Sequence, residues 1–342
     1  MSNNSYTICV LPGDGIGPEV VGAARSVLES LTDKAGGPAL TFKEFSVGSD
    51  EFQRNGDSFP STTLDEAKAA DAVLVGAFDV AQLPAHATQP LHALRHEFDV
   101  HASVRPARSY VGLDSSYGPI DAVVVREVTE GIYSGIEYSA GPDAACSVRV
   151  ITRQASARTA EIAFRQASER RRKVTAVHKL GALKLTDSLF LEAVGDVAKK
   201  YPDVTFETRN VDACALELVR YPEEFDVVLA TNTFGDILSD VAAGVAGGLG
   251  LAPSSCIGAR WAYFEPVHGT APDIAGKGIA NPLATILSTA MMLRFLGEGS
   301  AADTIDRAVN AVIADGPRTG DLGGKAKTAE VTAAVIGALA PM

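Results

Sequence analysis

The chain has 342 residues, 46% of them apolar and 21% charged, which is enough for sizeable cores in more than one domain and too apolar for a disordered chain. Its formal charge of −12 disfavours a general binder of nucleic acid or of anionic membrane, whereas a small anionic substrate answers only to local charge. Cys9, Cys146, Cys214 and Cys256 are scattered without metal-ligand spacing, residues 1–6 carry no leader pattern and no apolar run reaches transmembrane length, so the reading is a cytoplasmic protein with reduced thiols.

Residues 6–11 read as a strand, 12–19 as a Gly-rich turn and 20–31 as a helix. Strand, Gly loop and helix invite a dinucleotide fingerprint, but Pro18 stands where that fingerprint needs Gly or Ala, and an ordinary Rossmann unit is rejected. A strand over 40–47, a helix over 64–70 and a buried strand over 72–77 continue the alternation, which predicts an α/β unit with a mostly parallel sheet. After a long loop, 78–90, a short helix over 91–98 carries His92 and Arg95. Strands over 104–108 and 123–127 bring Arg105 and Arg126. With Arg95 these form either three separate ion pairs or a set converging on carboxylates, which guanidinium groups hold by paired hydrogen bonds. Tyr133 lies in a turn-rich stretch before an antiparallel piece at 146–151.

A helix over 157–172 ends in Arg170-Arg171-Arg172-Lys173. Cations at a helix C-terminus explain that run without nucleic acid. The strand 174–177 delivers Lys179, which is either a solvated cap or a catalytic amine. A helix over 189–200, a strand over 205–207 and a helix from 211 through 219 follow, the last carrying Asp212.

The chemistry is densest between 225 and 282. A buried strand, 225–230, is followed by a turn, 232–236, and a helix from 237. Asp236 and Asp240 are four apart, so their carboxylates share a helix face; they are either a solvated helix start or an oxygen-rich site suited to Mg²⁺ or Mn²⁺. A Gly-rich passage, 244–250, precedes a polar, Gly- and Pro-broken loop, 264–282. Helices over 283–296, 302–315 and 328–339, with a polar Gly loop at 319–325, complete the chain; the apolar 283–296 helix packs internally or mediates association.

The runs Leu11-Pro12-Gly13-Asp14-Gly15-Ile16-Gly17-Pro18-Glu19, 232–240, 265–282 and Thr319-Gly320-Asp321-Leu322-Gly323-Gly324 carry a resemblance that spans nearly the whole chain. By them the chain resembles the β-decarboxylating 2-hydroxyacid dehydrogenases, the family of isocitrate, homoisocitrate, 3-isopropylmalate and tartrate/malate dehydrogenases. The resemblance implies a two-domain α/β fold unlike the Rossmann fold, with the active site in the interdomain cleft. Residues 1–100 and 246–342 would form the coenzyme-binding domain, and 101–245 a smaller domain with a dimerisation arm and the metal and substrate residues. It also implies a homodimer whose sites borrow residues across the interface.

The same resemblance assigns roles. Arg95, Arg105 and Arg126 match the arginines that clamp the malate carboxylates. Asp236 and Asp240, with Asp212 of the other subunit, match the metal ligands. Lys179, also from the other subunit and helped by Asp212, matches the base for the C2 hydroxyl proton, and Tyr133 the acid that protonates C3. The coenzyme loop would include His268, Gly269, Thr270, Ala271, Asp273, Ile274 and Asn281. Asp273-Ile274 resembles the NAD-using pattern, since a carboxylate there holds ribose hydroxyls and repels a 2′-phosphate.

Some positions depart from the family. Gln89 and Leu91 stand where isocitrate-type members carry Ser and Asn, His92 replaces the second leucine of isopropylmalate-type pockets, Ser103 replaces Asn, and Gly181 replaces the Asn two residues after Lys179. With Thr88, the residues Gln89, Leu91 and His92 would flank the substrate's third substituent, and their polar groups favour a polar or anionic one. The expected reaction is NAD- and metal-dependent oxidative decarboxylation of an isocitrate-like, homoisocitrate-like or phosphonate-bearing malate. The alternatives are 3-isopropylmalate as substrate, or a non-catalytic regulatory subunit.

Overall fold

A computed structural model describes residues 4–113 and 117–340; residues 1–3, at the start of the stretch read for a leader, lie outside them. In chain order the described residues form β1 (Ser5–Gly13), α1 (Gly17–Ala35), β2 (Ala39–Glu44), α2 (Ser49–Asn55), α3 (Ser61–Ala69), β3 (Ala72–Ala77), α4 (Pro90–Glu97), β4 (Val100–Arg108) and β5 (Asp121–Glu127). The short β6 (Glu137–Ser139) and β7 (Ala145–Ser147) follow, then α5 (Arg153–Ser168), β8 (Lys173–His178), α6 (Lys184–Ala198), β9 (Thr205–Asn210) and α7 (Val211–Arg220). The chain ends with β10 (Val227–Ala230), α8 (Asn232–Ala246), β11 (Pro253–Gly258), β12 (Ala262–Pro266), α9 (Leu283–Phe295), α10 (Gly299–Asp315) and α11 (Thr328–Ala338).

Two compact units emerge, the first made of Met1–Asp99, Tyr110–Asp114 and Gly247–Met342, the second of Val100–Ser109 and Ser115–Ala246. In the first, strands run in the order β2-β1-β3-β12-β11, parallel except for the β11/β12 pair. Helix α1 begins with Pro18 in its first turn, ends at Gly36 in the left-handed region, and buries Val20, Val21, Ala24, Val27, Leu28 and Leu31 on one face. Helix α9 is apolar all round because it is buried in this unit's core with α1, α10 and α11, which accounts for its composition without an interface. Tyr110 joins that same core, and the Gly112 carbonyl accepts from Arg318 Nη2 at 2.6 Å, which ties this short segment to the first unit.

In the second unit the order is β4-β5-β10-β8-β9, with β4 and β5 antiparallel and the rest parallel. Val124, Val177, Val228 and Ala230 pack against Cys214 and Leu218 of α7 and Leu238 and Ala242 of α8. β6 and β7 pair as a separate antiparallel arm. The α/β architecture and the mostly parallel sheet agree with expectation; each unit adds one antiparallel pair, β11/β12 in the first and β4/β5 in the second. β11 and β12 are not among the expected strands: buried Ser254 and Ser255 break the apolar signal of β11, and buried Glu265 with Pro266 joins the end of β12 to the polar loop that follows.

Candidate active site

The second unit carries two clusters of reactive side chains. In the first, the antiparallel register of β4 and β5 places Arg105 opposite Val124 and Ser103 opposite Arg126, so both arginines rise from neighbouring strands toward α8. Arg105 Nη1 donates to Asp236 Oδ1 at 3.1 Å and to Ser239 Oγ at 2.8 Å, and lies 3.9 Å from Asp240 Oδ1. Arg126 Nη1 donates to the same Asp236 Oδ1 at 2.5 Å, while its Nε and Nη2 donate to the Asn232 carbonyl and Oδ1 at 3.0 and 3.2 Å. Both arginines are buried, 7% and 2% exposed, so they are directed by hydrogen bonds rather than left to solvent. The Arg126 guanidinium also lies over the Tyr133 ring, 5.5 Å from its centroid. Partial burial raises the Asp240 carboxyl above the usual carboxylate range; Arg105 opposes this and the Asp236 charge adds to it.

Helix α8 starts at Asn232, five residues earlier than the sequence reading placed it. Asn232-Thr233-Phe234-Gly235 reads as a turn because Gly and Asn favour turns, but here Gly235 makes room for Arg126 inside the helix's first turn. Ser103 also finds its reason: its buried hydroxyl accepts from Arg105 Nε at 3.1 Å.

In the second cluster, Lys179 Nζ lies 2.6 Å from Asp212 Oδ1 at the start of α7. That hydrogen bond holds the Asp212 carboxyl below its ordinary value. Position 181 is open: a Cβ built on Gly181 meets no atom within 4 Å, so packing does not demand glycine there.

Arg95 belongs to the first unit. It is buried on α4, and its Nε donates to Tyr263 Oη at 3.1 Å. Gln89 is the N-cap residue of α4, and Leu91 lies one turn before Arg95 on the same face. His92, three residues before Arg95, flanks that face and is exposed, yet partial desolvation and the Arg95 charge lower its pKa, so without ligand it is a neutral hydrogen-bonding ring. Thr88 is exposed, and its carbonyl accepts from Ser58 Oγ at 2.5 Å.

The loop from β12 to α9 walls a cavity of about 480 Å³. His268, Ala271, Ile274 and Asn281 line it, together with Ile16, Ile279, Asp321 and Lys325; Gly269, Thr270 and Asp273 sit in the loop away from the lining. The loop is fastened by the Ile16 N–H, which donates to the Thr270 carbonyl at 2.9 Å. Gly15, in the left-handed region, has that carbonyl where a Cβ would stand, so the first Gly turn serves to seat this loop. Asn281 Nδ2 donates to Asp321 Oδ2 at 2.9 Å, and Thr319 Oγ1 to Asp321 Oδ1 at 2.5 Å. Asp321, Lys325 and Ile16 are wall residues that the site reading missed; the signal was present in the polar Gly loop 319–325 and in the first Gly turn.

Three of the four residues of the basic run have structural partners. Arg170 pairs with Asp121 and Asp226, each at 2.8 Å, Arg171 donates to the Glu223 and Phe225 carbonyls, and Lys173 pairs with Glu207 at 3.1 Å.

Residues 7–335 match the family described as isocitrate/isopropylmalate dehydrogenase. The chain belongs to that family. It is 48% identical to the isocitrate/homoisocitrate dehydrogenase of Thermus thermophilus over 98% of this chain and 99% of that protein. It is 45% identical to the 3-isopropylmalate/3-methylmalate dehydrogenase of Methanocaldococcus jannaschii over 95% and 96%. The crystal structure of isocitrate dehydrogenase from Methylococcus capsulatus superposes with a TM-score of 0.92 at 42% identity, covering 98% of this chain and 99% of that one. The protein is therefore an enzyme, a decarboxylating dehydrogenase of a hydroxyacid that uses NAD.

The dehydrogenase's cavity fits an adenosine-sized group. It is largely apolar, and one of its wall residues, His268, has a buried Nε2 without a hydrogen-bond partner. Burial lowers the His268 pKa, so the ring is neutral, and Nδ1 lies 2.9 Å from the Gly269 carbonyl. The α8 carboxylates give an all-oxygen donor pair that fits a hard divalent cation. Among the described residues no group of three His, Cys, Asp or Glu side chains stands together as a metal site, so Asp212 is not gathered with Asp236 and Asp240 within one chain.

Proposed function

We propose that the enzyme oxidatively decarboxylates a 3-substituted (2R)-malate with a polar or anionic third substituent, releasing a 2-oxo acid, CO₂ and NADH. Its sites are completed in a homodimer. The observation that carries the substrate reading is the disposition of α4, where Leu91 shares the face of Arg95 while Gln89 and His92 flank it with hydrogen-bonding groups. A purely apolar substituent would leave those groups unpaired. Leu91, and the 45% identical isopropylmalate/methylmalate enzyme, favour 3-isopropylmalate as the second reading.

In this account Arg95, Arg105 and Arg126 bind the malate carboxylates. Asp236 and Asp240, with Asp212 of the partner subunit, hold Mg²⁺ or Mn²⁺. When bound, NAD would supply the hydride acceptor and the divalent cation the Lewis acidity that this oxidation and decarboxylation need. Lys179 takes the C2 hydroxyl proton while Asp212 orients its amine. Tyr133, held under the Arg126 cation, delivers a proton to C3 after CO₂ leaves.

The dimer is supported by apolar side chains left at the surface of the second unit. Leu185 of α6, Leu216 of α7 and Ile237 of α8 are 88%, 59% and 57% exposed, and Ile136 and Tyr138 stand out at the arm. Incubation with NAD, Mn²⁺ and a panel of substituted malates should give NADH and CO₂ in equal amounts; NADH without CO₂ would contradict the decarboxylating step.

A further inference from the structure

Arg149 has no part in the roles assigned above, yet, half-buried, it forms a charge pair with the buried Asp187 where several segments of the second unit meet. Asp187, in the first turn of α6, is fully buried, and its Oδ1 accepts from Arg149 Nη1 at 2.9 Å. Its Oδ2 accepts the backbone N–H of Lys179 at 2.6 Å. Arg149 Nη1 also donates to Thr186 Oγ1 at 2.7 Å, and Nη2 to Thr231 Oγ1 at 3.0 Å; the guanidinium lies over the Phe234 ring, 5.5 Å from its centroid. Thr231 and Phe234 bracket the start of α8, the helix of Asp236 and Asp240. On either side of Arg149, the N–H groups of Val148 and Val150 donate to the Ile136 and Gly131 carbonyls, which flank Tyr133.

Taking a carboxylate wholly out of water is costly, and an apolar pair of similar volume is often as stable or more so. Stability alone therefore does not account for this pair. What it supplies is direction: one carboxylate fixes the Lys179 backbone while its partner guanidinium grips the first turn of α8. We propose that Arg149 and Asp187 are positioning residues that hold two elements of one chain in register: Lys179, which serves the partner's site, and the carboxylate-bearing helix, which serves its own. The inference rests on Lys179 acting as the base, as proposed above.

The test is steady-state kinetics per folded site, with thermal melts, on Asp187→Ala, Arg149→Met, Arg149→Lys and Lys179→Met. Asp187→Ala and Arg149→Met should lower kcat by ~10–100-fold, the scale of a misplaced catalytic group, while KM for hydroxyacid and NAD moves by less than about 3-fold. Arg149→Lys, which keeps the charge opposite Asp187, should recover most of the loss. If Asp187→Ala does not fold, the Arg149→Met and Arg149→Lys pair carries the comparison. Lower melting temperature with unchanged kcat, or equal kcat loss in Arg149→Met and Arg149→Lys, would overturn the inference. Full turnover in Lys179→Met would remove the base reading and this inference together; an inactive Lys179→Met beside a fully active Asp187→Ala would remove this inference alone.

Discussion

Gly235 and Arg126 compete for one space. A Cβ built on Gly235 would lie 2.8 Å from both Cβ and Cγ of Arg126, inside the first turn of α8. Glycine in a helix ordinarily costs about 1 kcal/mol relative to alanine. Here it lets the arginine reach Asp236 and the Asn232 carbonyl. Gly235→Ala should therefore lower both stability and kcat/KM, the latter by ~10-fold or more as Arg126 shifts. Thermal melts and hydroxyacid kinetics check it; a stabilised, fully active variant would contradict the packing argument.

The coenzyme preference should turn on two neighbouring loop residues. Asp273→Lys with Ile274→Tyr is expected to weaken NAD use and improve NADP use, read as kcat/KM for each coenzyme. Because Ile274 lines the cavity and packs against the small cluster of Ile16, Val20 and Ala280, some loss of stability should accompany the change. Equal losses with both coenzymes would remove Asp273 from any part in the choice.

Tyr133 and Lys179 should separate by reaction step. Tyr133→Phe should keep reduction of a bound 2-oxo acid better than it keeps decarboxylation, whereas Lys179→Met should damage both redox directions. Unchanged overall turnover in Tyr133→Phe would mean that another group protonates C3.

Thiol reactivity offers a check on the fold. Cys9, Cys214 and Cys256 are buried, and burial pushes the first two thiols up to about 12, which starves them of the reactive thiolate at neutral pH. Cys146, half-buried in β7 of the arm, should be the one thiol alkylated in the native protein. Mass spectrometry after brief maleimide treatment reads this directly; labelling of Cys9 or Cys214 without denaturant would contradict the packing described.

The legible parts of the sequence were those whose chemistry is local. The apolar runs of β3 and α9 and the Asp236/Asp240 spacing mark their own structure, and the long motifs carried the family and the fold. What stayed hidden depends on approaches between distant segments. Gly235 looked like a turn residue until Arg126 was seen against it. Arg170 and Arg171 were legible as helix-terminal cations, but their partners Asp121 and Asp226, distant in sequence, were not. Asp187 gave no signal because a buried carboxylate in a helix's first turn resembles an ordinary solvated one. Asp321 and Ile16 joined the cavity wall only through tertiary packing of two glycine-rich turns.

The central claim, that the third substituent is polar or anionic, is tested most directly by kcat/KM across isocitrate, homoisocitrate, 3-isopropylmalate, tartrate, D-malate and a phosphonomethyl-substituted malate, in wild type and in His92→Leu. An anionic substrate should lead in wild type and lose most in the variant, by ~10-fold or more for an unpaired hydrogen-bonding partner of a charged group. A wild-type preference for 3-isopropylmalate that His92→Leu leaves undiminished would contradict it.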